Sequence, residues 1–136
     1  MPVIRHTDAR RTETPNAVMT TYASPTQGST ALAMWKVDME AGKSGPLHAM
    51  DVEQIWTFVT GSATVELADG PVTVAAGDTL VLPADVARQI TTADGFTAVV
   101  AGPSPAHVYN PDAVTPPGAC GLAPKDDERL LPPWIA

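Results

Sequence analysis

Apolar residues in the middle of the chain recur at every second position, the period of a strand with one face in a core. The first such run is Thr30–Met39 (TALAMWKVDM), closed by the turn Glu40-Ala41-Gly42. Glu53–Val59 follows and is ended by Gly61, and Ala63–Leu67 then alternates up to Asp69-Gly70, a pair suited to a tight hairpin. Pro71–Val74, Thr79–Leu82, Ala87–Thr91 and Phe96–Val100 complete the series, punctuated by Gly77-Asp78, Pro83 and Asp94-Gly95. Strands of about five residues at intervals of roughly ten predict an all-β sandwich or closed barrel. No stretch in the middle of the chain carries a helical period.

The two ends differ from this core of about residues 30–101. Residues 1–17 are polar and predict a loose or edge-covering arm. Residues 102–136 hold many of the 14 prolines, each of which fixes φ and removes a backbone donor, so an irregular tail is expected. That tail ends in the apolar run Leu130–Ile135, which is expected to pack back on the barrel or on a partner subunit. The whole of 1–136 reads as one domain, without an internal repeat.

Composition narrows the function classes. Apolar residues make up 44% of the chain but aromatic ones only 5%, so the core must be built chiefly from Val, Ala, Leu and Ile. No segment approaches the roughly 20 unbroken apolar residues of a membrane-spanning helix. The polar start of the chain has no apolar leader run, which sets a cytoplasmic location as the expectation. A formal net charge of −7 with scattered basic residues lacks the basic face that nucleic acid requires. The lone Cys120 excludes an internal disulfide and a cysteine-based zinc site, and no activating partner lies near it in sequence.

Two segments carry spaced punctuation. Gly45-Pro46-Leu47-His48-Ala49-Met50-Asp51-Val52-Glu53-Gln54 runs on to Gly61, and Gly77-Asp78-Thr79-Leu80-Val81-Leu82-Pro83 is followed five residues later by Arg88. Over about residues 30–101 the chain resembles the cupin superfamily, the RmlC-like double-stranded β-helix barrels, and is most similar to compact, single-domain bacterial members. The resemblance implies a small barrel, commonly a homodimer. It also places the family's four metal positions at His48, Met50, Gln54 and Arg88. Only His48 is an ordinary ligand for a divalent ion. A thioether is soft, a neutral amide is weak, and a guanidinium repels a cation. No metal or other cofactor is therefore expected, with a weakly held divalent ion at His48 as the alternative.

Read by alternation, His48, Met50, Gln54, Trp56 and Phe58 share one wall of the barrel interior while Glu53 faces out. Arg88 and Ile90 come from another strand, and Met34 or Trp35 from the first long one. The result is an apolar cup with an imidazole, an amide and a guanidinium, the composition of a small-molecule site. Arg88 is the candidate to hold an anionic oxygen, or else to pair with Asp51, Glu53 or Asp85 at the barrel mouth. His48 is the candidate for proton transfer, or else a packing residue. His6 and His107 lie outside the core strands. The resulting expectation is a metal-independent isomerase, cyclase or lyase that works on an oxygenated metabolite by acid–base chemistry, with His48 and Arg88 catalytic. Met50, Gln54, Trp56, Phe58 and Ile90 would then bind the ligand. A metal-dependent dioxygenase with an atypical ligand set and a non-enzymatic ligand-binding protein are the alternatives.

Overall fold

The computed structural model describes residues 1–112 and 128–136, so Cys120 lies outside the described residues. A hairpin comes first, β1 (Arg10–Glu13) and β2 (Val18–Ala23), and leads into β3 (Leu32–Met39). After the two-residue β4 (Ala49–Met50) the chain forms the long β5 (Gln54–Leu67), then β6 (Gly70–Ala75) and β7 (Thr79–Leu82). The last strands are β8 (Gln89–Thr91), β9 (Phe96–Pro103), β10 (Val108–Tyr109) and β11 (Arg129–Leu130). Among the described residues the helical elements are short 3₁₀ turns, His6–Asp8 and Pro25–Gln27, and no helix is long and apolar enough to cross a membrane.

All pairings are antiparallel, in the order β1-β2-β3-β9-β5-β6, with β7 and β8 also on β5. β5 organises the barrel because it belongs to both of its walls. Its first half pairs with β7 and β9, and its second half with β6 and β8. The register against β9 slips between Phe58 and Thr60. That extra residue reverses the alternation, so Gln54, Trp56 and Phe58 point inward before it and Ala63 and Val65 after it.

Glu53–Val59 and Ala63–Leu67 are therefore one bent strand where the pattern predicts two. Gly61 lets the chain bend without stopping: its φ is +76°, and a Cβ there would meet the Gly95 carbonyl oxygen at 2.0 Å. The side chains the strand turns inward build the core with Trp35 and Val37 of β3, Leu82 of β7, and Phe96 and Val100 of β9. Phe58 packs on Phe96 with ring centroids 5.2 Å apart. Each such fully buried side chain contributes about 1.5–3 kcal/mol.

Both ends are ordered. Residues 10–23 are a hairpin that extends the sheet beyond β3 (Glu13 pairs with Val18, and Val18 with Asp38), so the N-terminal arm takes the edge-covering form and not the loose one. The pattern misses it because only Thr21 of β2 is fully buried, so no apolar alternation is written there. β9 runs on through Pro103, and part of the tail forms a second, three-stranded sheet in which Val108 pairs with both Met50 and Leu130. The C-terminal turn then lies against the barrel. Thr21 Oγ1 donates to the Trp134 carbonyl at 2.8 Å, Ser104 Oγ to that of Ile135 at 3.0 Å, and Thr26 Oγ1 to that of Ala136 at 2.7 Å. Ile135 is only 1% exposed.

Candidate active site

The inward faces of β3, β5 and β8 enclose a cavity of about 120 Å³. A comparable apolar cavity, about 150 Å³, holds a benzene-sized molecule. Its walls are mainly apolar and aromatic: Trp35, Val37 and Met39 from β3, Trp56 from β5, Ile90 from β8 and Phe96 from β9. Both ends of the chain complete it. Thr14, Asn16 and Ala17 between β1 and β2 contribute, with Met19 of β2, and Pro132, Trp134 and Ile135 cover it from the tail. From the core strands and the loop before them, His48 and Gln54 line this space with an imidazole and an amide, beside the indoles of Trp35 and Trp56.

His48 stands just before β4, its backbone bridged to Arg88 in both directions (N to O distances of 3.0 and 2.9 Å). Its Nδ1 lies 2.9 Å from the Pro46 carbonyl oxygen. A carbonyl can only accept, so Nδ1 carries the hydrogen, and in the neutral ring Nε2 keeps its lone pair. Burial, the charge of Arg88 and, in the opposite sense, the Pro46 hydrogen bond bring the imidazole down from 6.5 to about 4. The ring is therefore neutral at physiological pH.

Behind this wall Gln54 Oε1 accepts two hydrogen bonds, from Arg88 Nη2 at 2.9 Å and from the Trp56 indole nitrogen at 3.3 Å. Arg88 is fully buried, and its Nη1 donates to the Val86 carbonyl at 3.1 Å. Burial lowers its pKa to about 10, with Tyr109 acting in the opposite sense, so it remains a cation at neutral pH. No carboxylate among the described residues pairs with it. Asp51 is bound to His107, whose Nδ1 lies 3.2 Å from Asp51 Oδ2, Asp85 accepts from the Tyr109 hydroxyl at 2.7 Å, and Glu53 is exposed. The guanidinium is thus a buried charge held only by neutral acceptors, with Nε unpaired.

Five of the seven residues predicted for the site meet at the cavity: His48, Met50, Gln54, Trp56 and Ile90. Arg88 and Phe58 do not line it. Arg88 folds back onto Gln54 and its own loop, and Phe58, one step deeper along β5, is sealed between Trp56 and Phe96. Trp35 faces in while Met34 is exposed. The contributions of residues 14–19 have no signal in the sequence. The apolar Leu130–Ile135 run does foreshadow Trp134 and Ile135, though not that they roof a cavity.

No family model matches the chain, and no curated protein does. Solved structures do match in shape. The polyketide cyclase RemF from Streptomyces resistomycificus aligns over 78% of this chain and 83% of its own, with 16% identity and a TM-score of 0.66. A sugar phosphate isomerase of the cupin superfamily from Silicibacter pomeroyi aligns over 80% and 81%, with 16% identity and a TM-score of 0.66. KdgF from Halomonas sp. aligns over 75% and 94%, with 17% identity and a TM-score of 0.64.

The chain has the cupin fold. The positions that carry metal in the cupin pattern are here a poor donor set. His48 offers one nitrogen, Met50 a thioether, Gln54 an oxygen already filled by two donors, and Arg88 a cation. Among the described residues no three His, Cys, Asp or Glu side chains cluster as metal ligands. These residues do not fit a divalent ion.

Proposed function

We propose that this cupin-fold chain is a metal-independent enzyme that moves a proton on a small oxygenated organic molecule, as an isomerase, cyclase or lyase does. One observation carries the reading: the Pro46 carbonyl fixes the hydrogen of His48 on Nδ1, which leaves Nε2 as a proton acceptor at a mostly apolar cavity. In the free protein the imidazole is a weak base, and negative charge developing on the ligand beside it would raise its affinity for a proton. It takes a proton only as a compensating anion forms on the ligand, and it returns that proton readily. Arg88 acts at one remove, through Gln54, where the sequence casts it as a direct anion clamp. Among the structures of similar shape, one is named as a polyketide cyclase and one as a sugar phosphate isomerase, which agrees with a cyclase or isomerase reading.

Deuterium exchange tests the proposal without requiring the natural substrate. Compact enolisable ketones and hydroxy-ketones are incubated with the protein in D₂O and followed by NMR. Protein-dependent wash-in at carbon is expected, reduced by about 100-fold or more in His48→Gln. Compounds that bind but never exchange would replace the enzymatic reading with a ligand-binding one.

A further inference from the structure

Gln54 and His48 both line the cavity, and the hydrogen bonds behind each leave only one kind of group facing a ligand. Trp56 Nε1 and Arg88 Nη2 are both obligate donors, so the oxygen of Gln54 must be the atom they share. Rotating the amide would set its NH₂ against two N–H groups. The nitrogen Nε2 is left with two hydrogens and has no partner among the described residues. It is not sealed off either, since the buried side-chain nitrogens without a partner are Arg10 Nε and Arg88 Nε. The same reasoning holds for His48. Its Nδ1 is bonded to Pro46, while Nε2 is unpartnered and not sealed.

We propose that this pair reads a ligand carrying a hydroxyl or N–H donor together with a carbonyl acceptor. The donor goes to His48 Nε2, and the carbonyl accepts from Gln54 Nε2. The ligand is compact, because the cavity is about 120 Å³, and uncharged, because Trp35, Met39, Ile90 and Phe96 would strip an ion of water without replacing it. Enolised 1,3-dicarbonyls, lactams and hydroxy-ketones have this pattern. Arg88 is a positioning residue: it fixes which end of Gln54 meets the ligand, and its charge strengthens the amide as a donor. The inference rests on the cavity being the ligand site of the reading above, but it concerns binding and not turnover.

Two isomers of equal size make the first test. 6-Methyl-2-pyridone keeps an N–H beside its carbonyl, and N-methyl-2-pyridone lacks it. Titration followed by fluorescence of the cavity tryptophans is expected to favour the N–H isomer by about tenfold. Equal affinities, or no binding of either at millimolar concentration, would overturn the proposal. In Gln54→Glu the side chain still accepts from Arg88 and Trp56 but offers the ligand an oxygen. Catechol, with two donors, should then outrank 6-methyl-2-pyridone, reversing the wild-type order. A purely structural role for Gln54 would weaken all probes together and leave the order unchanged, which also overturns the proposal. Ranked binding without deuterium exchange would support the recognition pair while removing the acid–base reading, so the two can fail separately.

Discussion

The chemistry of His48 follows from one hydrogen bond and one neighbouring charge. The Pro46 carbonyl selects its tautomer, and burial beside Arg88 sets its proton affinity. The folded ring titrates at about 4, below the 6.5 of an unperturbed histidine. Between these values the unfolded chain binds the extra proton, so His48 contributes stability that is complete above about pH 6.5 and is lost as pH falls toward 4. Allowing for partial exposure of the ring, the loss is about 2 kcal/mol. Urea unfolding at pH 7 and pH 4.5 should show it in the wild type and not in His48→Gln. Nitrogen-detected NMR should find Nδ1 protonated throughout and Nε2 titrating near pH 4, whereas a midpoint above 6 would refute this account. At this scale the sequence shows which way Gln54 and Trp56 face, because period two is the backbone geometry of β5, whereas His48 and Met50 precede a bend and belong to no continuous strand with them. It does not show where Arg88 ends, because a long side chain can fold back onto a neutral amide as readily as it reaches a carboxylate.

The strands were legible where one face is strongly apolar and obscure where it is not. β3 stands out because Ala33, Trp35, Val37 and Met39 make one strongly apolar face, and β7 because its short apolar run lies between Gly77-Asp78 and Pro83. β1 and β2 are half-buried throughout most of their length, and β4, β10 and β11 are two residues each, too short to show a period. By its pattern β5 divides into two strands because Gly61 looks like a stop, although it serves as a crossing point where the Gly95 backbone comes close. Gly61→Ala is therefore expected to cost more than about 3 kcal/mol, combining a steric clash with strain at positive φ. Gly70→Ala is the control. Its φ is also positive, at +119°, but nothing lies within 4 Å of the added carbon, so the cost should be about 1 kcal/mol. Urea midpoints of the two variants check the difference, and similar losses would show that crowding at Gly61 does not matter.

The strands that wall the cavity have a second face, and it too is apolar. Met34 of β3, Ala101 of β9, Ile55 of β5 and Val81 of β7 lie side by side across four strands. Met34, Ile55 and Val81 are 44%, 43% and 53% exposed, and Leu32 beside the row is 63% exposed. A contiguous apolar row on a sheet face marks an interaction surface more often than isolated exposed residues do. We propose that a second copy of the chain covers it, since a two-fold axis through the row would set the same residues against each other, sheet on sheet. Light scattering is expected to return twice the 14.2 kDa mass of one chain. With −7 on each copy, association should tighten as salt screens the repulsion. Ile55→Lys, on the outer face of a strand whose inner face holds Gln54 and Trp56, should give a folded single chain that still binds the probes of the cavity. A wild-type protein that scatters as one chain at every salt concentration would overturn this self-association.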